Sequence, residues 1–163
     1  MLHLLVALPY GNYARRIIMN KEEVLKKLTD KNDKQAHEYA KKICAESATS
    51  NKYLDMIPEF SNMLVAKSSF VRTRFFILIC SQSRWANNNE IKDVFDKMKP
   101  LLNDSKPTVV RQCLNALKEV IVFRPEMNNI IKKAISKIDL SIYKDSMIKL
   151  IKEDIDELND LLK

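Results

Sequence analysis

The chain has 163 residues, 46% of them hydrophobic and 30% charged, a balance that suits one folded domain rather than a disordered chain. Its formal net charge is +7, which can draw nucleic acid, anionic lipid or an acidic protein, or simply keep the chain in solution. A single glycine, Gly11, excludes glycine-rich phosphate loops and most turn-dense β architectures, so helices joined by short polar turns are expected.

Residues 1–18 open with an apolar run at 2–8 that is short and lacks a preceding basic stretch, which makes a poor signal peptide. A start-site extension or a loosely held arm is expected there, with one repeat domain over 19–163. Asn20 can cap a first helix and Glu23 can complete a capping box. Apolar periodicity then predicts four helix pairs: about 21–28 with 34–47, 52–65 with 69–83, 91–102 with 110–121, and 126–138 with 144–162. Ile91, Val94, Phe95, Met98, Leu101 and Leu102 fall at offsets 0, 3, 4, 7, 10 and 11, and Val110, Cys113, Leu114, Leu117, Val120 and Ile121 repeat them. Each helix therefore carries one apolar stripe. The polar turn at 103–107 between them ends in Pro107, suited to the first turn of the next helix.

The pairs recur. First helices end at Leu28, Leu64, Leu102 and Ile138, at intervals of 36, 38 and 36 residues, a solenoid period. Cys44 and Cys80 each follow their leucine by 16 residues, which predicts small buried thiols at equivalent core positions. The helix around 70–80 is apolar nearly all round and should be the most enclosed element, and Pro58 should kink the third helix. Met147, Ile151, Ile155, Leu158 and Leu162 form one stripe of the last helix with acids opposite, as a terminal cap requires. Residues 152–163 hold five acids and two lysines, leaving 26 basic against 16 acidic residues in 1–151.

Three cysteines without a C-x-x-C pair, and two distant histidines, His3 and His37, predict reduced thiols in the cytosol, no disulfide frame, no metal and no cofactor. No apolar run approaches the ~20 residues of a membrane span, so no membrane partner is expected. Nucleophile elbows, zinc-binding H-E-x-x-H helices and phosphate loops are missing from the sequence.

Lys99-Pro100-Leu101-Leu102-Asn103-Asp104, followed by Val109-Val110-Arg111 and Leu114–Leu117, resembles a HEAT repeat, in which a Val-Arg pair opens the second helix after an aspartate-bearing turn. Val71-Arg72 is a second match and Ala36-His37 a weaker one, while the fourth unit departs with Tyr143-Lys144. Over roughly 20–160 the chain is similar to small bacterial HEAT/ARM-like repeat proteins often labelled SufBD, through Val71-Arg72-Thr73-Arg74, Trp85, Arg111-Gln112-Cys113 and Tyr143–Met147. The resemblance implies an all-α, right-handed α-solenoid of about four stacked antiparallel helix pairs. Its label suggests iron–sulfur assembly, but cluster ligation needs convergent thiolates, and three separated cysteines do not supply them.

Six residues stand out as candidates for holding a partner: Arg72, Arg74, Trp85, Arg111, Tyr143 and Lys144. Arg72 and Arg111 occupy equivalent places. They can form a ladder, each paired with a turn aspartate such as Asp104 or Asp30, or a basic row that binds phosphate or carboxylates. Arg74 lies about 200° around the helix from Arg72, free to bind or to sit on the surface. Trp85, in the loop at 83–89, can plug the end of a helix pair or anchor a partner. Tyr143-Lys144 reads as a helix start, with Asp145 favourable in the first turn. The sequence thus points to a non-enzymatic adaptor or scaffold that binds a protein, with nucleic-acid binding on a basic face as the alternative.

Overall fold

In a computed structural model of the chain, the described residues are 19–163; the expected arm at 1–18 lies outside them. Eight α-helices follow in order: α1 (Lys21–Leu28), α2 (Asp33–Ser47), α3 (Ile57–Asn62), α4 (Ser69–Ser81), α5 (Asn88–Met98), α6 (Pro107–Phe123), α7 (Asn128–Ile135) and α8 (Asp145–Leu161). No strand occurs among the described residues.

Side-chain caps set several helix starts. Asn20, Asn32 and Ser68 accept the N–H of Glu23, Gln35 and Val71 at the heads of α1, α2 and α4, each satisfying a donor that the helix leaves open. Glu23 pairs with Lys27 at 2.8 Å, leaving the box expected at α1 half made. The reciprocal box forms at α5, between Asn87 and Glu90.

The expected continuous helix at 52–65 is broken into a 3-10 turn (Leu54–Met56), the six-residue α3 and a second 3-10 turn (Met63–Val65). Pro58 does not kink a longer helix. It has no N–H to donate one turn back, so the chain starts a new helix with Pro58 in its first turn. Pro100 and Pro125 act alike in the next two units, where 3-10 turns (Lys99–Asn103 and Pro125–Met127) border α5 and α7. First helices are thus short and segmented, whereas α2, α4, α6 and α8 run unbroken for 13 to 17 residues.

Helix α1 packs on α2 and α3 on α4, while α2, α4, α6 and α8 pack each on the next; α3 also meets α5. One core runs through the chain. Leu28, Leu64 and Leu102 are buried in it, and Ile138 is half-buried against it. Phe75, Phe76, Leu78 and Ile79 of α4 are wholly enclosed, and the Phe60 ring of α3 lies 5.6 Å from that of Phe75. Each such side chain contributes about 1.5–3 kcal/mol on burial. Phe70, expected to share this enclosure, is 65% exposed in the first turn of α4. Ile151 and Leu158 of α8 are buried, with Met147, Ile155 and Leu162 packed against the core beside them. Its acids stay outside that stripe, so α8 has one side against the core and one toward solvent.

Candidate partner-binding face

Side chains stitch successive units at both ends of the unbroken helices. At the N-terminal end, Arg72 donates from Nη1 to the carbonyls of Ala66 and Lys67 and from Nη2 to the Asp104 carboxylate at 2.7 Å. It therefore joins its own turn to the next, as a ladder arginine would. Asp104 has an exposure of 8% on its side chain. Its backbone carbonyl also accepts the hydroxyl of Tyr143 at 2.6 Å, and Asn103 Oδ1 accepts the N–H of Asp139 at 2.7 Å. The turn at 103–104 thus ties the second, third and fourth units together. Burial, then the Asp104 carboxylate, holds the Tyr143 phenol above its usual range.

Arg74 overturns its expectation. Rather than free or on the surface, it is 5% exposed, donating to the Leu28 carbonyl at 2.8 Å and to the Asp33 carboxylate. Because α4 packs between α2 and α6, a residue opposite Arg72 points into the preceding unit. Arg111 pairs with its neighbour too, but with Asp154 in the body of α8, through Nε at 2.6 Å and Nη2 at 3.1 Å. The expected turn aspartate is not its partner: Asp139, in the turn of the fourth unit, instead accepts the N–H and hydroxyl of Ser141. Asp154 holds the guanidinium pKa above its ordinary value.

At the C-terminal end, the Trp85 indole N–H donates to the last carbonyl of α2, Ser47, at 2.7 Å. One unit on, Arg124 Nε donates to the Ser83 carbonyl just beyond α4, at 2.8 Å. Trp85 is half-buried and closes the end of a helix pair, filling the orphan acceptor of a helix terminus. Gln82, wholly buried, adds a bond from Nε2 to Ser47 Oγ at 2.9 Å. Lys144 is exposed at the head of α8, where its carbonyl takes the first helical N–H groups.

Across the exposed face of the unbroken helices lies a cleft of about 900 Å³. Residues of α2, α4, α6 and α8 all line it. Its floor holds Cys44, Ile77 and Ala116; one wall carries the pairs Arg111–Asp154 and Lys118–Glu157. Arg84 lies over the Phe123 ring, 4.3 Å from its centroid, at the C-terminal mouth. Gln112, Asn115, Glu119 and the 61% exposed Val122 project from α6. A smaller cavity of about 280 Å³ adjoins it through the shared residues Ile77 and Gln112, and is lined by Arg74, His37 and the exposed Phe70.

Of the six expected residues, Arg111 therefore lines the main cleft and Arg74 the smaller cavity. Arg72, Trp85, Tyr143 and Lys144 line neither. Sequence reasoning missed Arg84, Gln112, Asn115, Lys118, Glu119 and Val122. Their signal was present: 111, 115, 118 and 122 recur at helical spacing on the side of α6 opposite its apolar stripe.

Cys80 and Cys113 are buried as expected of core thiols, whereas Cys44 is only half-buried and opens onto the cleft. Burial pushes all three thiols up. Among the described residues, no group of three or more His, Cys, Asp or Glu side chains is placed to hold a metal ion. None of the described helices is long and apolar enough to cross a membrane. No protein-family model, curated protein or solved structure matches this chain.

Proposed function

We propose that this chain is a non-enzymatic adaptor or scaffold of the cytosol, a short right-handed HEAT-like solenoid that holds a protein partner along the face of α2, α4, α6 and α8. The observation that carries this reading is the cleft to which all four unbroken helices contribute. Stacked helix pairs make extended surfaces that serve recognition, and this one mixes an exposed valine, a stacked arginine and amide side chains, the composition of a protein interface. Support for a non-catalytic role is chemical. No histidine lines the cleft, and burial raises the pKa of its two cysteines, Cys44 and Cys80, which disfavours a thiolate nucleophile there.

The alternative, nucleic-acid binding on a basic face, draws on the net charge of +7. The arginines expected to form that face weigh against it, because Arg72, Arg74 and Arg111 are each held by an aspartate. A tagged chain captured from lysate with and without nuclease separates the two readings. A defined protein retained after nuclease by the native chain, and lost when Asn115→Arg and Val122→Asp fill the cleft, supports the adaptor. Retention that disappears with nuclease sinks it.

A further inference from the structure

We propose that the groove between α5 and α7, on the side of the molecule carrying the segmented helices, docks an acidic segment of the partner protein; this rests on the adaptor reading and adds a second, chemically distinct contact to it. The groove has a volume of about 540 Å³. Lys92 lines it from α5 and Lys99 from the 3-10 turn that follows, and Lys133 and Lys137 line it from α7 and the turn after it. Lys99 is engaged: it pairs with Asp96 and lies over the Phe95 ring. Lys92, Lys133 and Lys137 are exposed, and among the described residues none has a carboxylate within ion-pair reach. Three like charges facing one concavity repel each other. An anion seated among them relieves that repulsion where a solvated flat surface would not need it.

The groove selects a carboxylate-bearing peptide over a nucleic acid. Asp93 and Asp96 stand in the same walls, and would repel a continuous phosphate backbone while leaving room for spaced side-chain carboxylates. The aromatic residue there, Phe95, is 1% exposed and offers no platform on which bases could stack. A second copy is a weaker occupant. Its acidic α8 offers Glu153 and Asp156 without ion pairs among the described residues, but two chains of net charge +7 repel at long range.

The test uses fluorescence anisotropy at low salt with three probes: a labelled Glu-Ser repeat peptide, its Gln-Ser counterpart, and a single-stranded oligonucleotide of the same charge as the first. The triple variant Lys92→Glu/Lys133→Glu/Lys137→Glu is compared with Lys26→Glu/Lys34→Glu/Lys149→Glu, which removes the same charge from exposed lysines elsewhere. The expected result is Glu-Ser binding that falls at least about tenfold in the groove variant and less than about twofold in the control, with no Gln-Ser binding. Equal losses in both variants overturn the proposal, since net charge alone then acts. Tighter binding of the oligonucleotide through the same lysines overturns it in favour of phosphate, and a concentration-dependent dimer lost in the groove variant overturns it in favour of a second copy. Circular dichroism of both variants checks folding, and a milder Lys→Gln triple replaces the reversal if that one unfolds. A lysate partner retained by the groove variant but lost by Asn115→Arg overturns the groove alone; no partner on the native chain removes the adaptor reading, and the peptide arm still decides the groove.

Discussion

Arg74→Ala tests the stitching most directly. The guanidinium is 5% exposed and its Nη1 bonds the Leu28 carbonyl at 2.8 Å, 46 residues away. Removing it strands that buried acceptor, at about 1–3 kcal/mol. Loss of the packed aliphatic stem adds about 1 kcal/mol. The Asp33 side chain is 49% exposed, so water replaces the guanidinium there and the lost ion pair contributes little. The native state already carries a deficit, because Arg74 Nε is buried without an acceptor. The net cost is therefore about 2–3 kcal/mol, or roughly 5–10 °C in Tm for a domain of this size. Urea unfolding followed by far-UV circular dichroism measures it. Arg74→Met, which keeps the stem, should recover about 1 kcal/mol of the loss. A cost below about 0.5 kcal/mol for Arg74→Ala would mean that the guanidinium is solvated and the stitch does not exist.

Arg111→Ala should cost no more than about 1 kcal/mol, since Arg111 and Asp154 keep 36% and 21% of their side-chain surface in water; a loss matching that of Arg74 would contradict the exposure argument. Trp85→Phe keeps a ring but removes the donor to Ser47, and should cost about 1 kcal/mol in thermal melts. Tyr143→Phe should cost a similar amount by freeing the Asp104 carbonyl. At pH 8, Cys80 and Cys113 should resist a water-soluble thiol reagent until urea unfolds the chain, with Cys44 the first to react. The folded state raises the thiol pKa values, whereas unfolded thiols ionise near pH 8.5. That contribution to stability is full below this pH and is lost as pH rises past it. Melts between pH 7 and 10 with Cys80→Ala as reference should show the alkaline slope reduced in the variant.

Much of the helix pattern was legible because burial writes itself at a spacing of three and four. The stripes at 91–102 and 110–121, and the recurrence of Leu28, Leu64 and Leu102, follow from that rule alone. Arg72 was legible too, since stacking of successive units brings the turn of the next one, with Asp104, beside its guanidinium. Arg74 was misread by treating its helix in isolation. A position opposite Arg72 is open on a helix with one apolar stripe, but α4 is apolar nearly all round, so its far side also faces protein. That clue stood in Phe75–Ile79. The break at Pro58 was underestimated because a kink was assumed where a missing donor allows a fresh start. Asp154 as the mate of Arg111 depends on how far α8 slides along α6, which side-chain volumes decide. The cleft was invisible for the same reason: Glu119 and Cys44 lie 75 residues apart in the sequence, on helices that only the packing brings together.

The two rows of donors, Arg72, Arg74 and Tyr143 at one end and Trp85 and Arg124 at the other, have a mechanical meaning. A stack joined at one end can fan open like a book; joined at both ends, it can fan only by breaking bonds along one spine. The width of the cleft is then set before any partner arrives. Under the proposed adaptor role, little conformational entropy remains to be lost on binding there, and a partner would have to bring a surface already cut to that width.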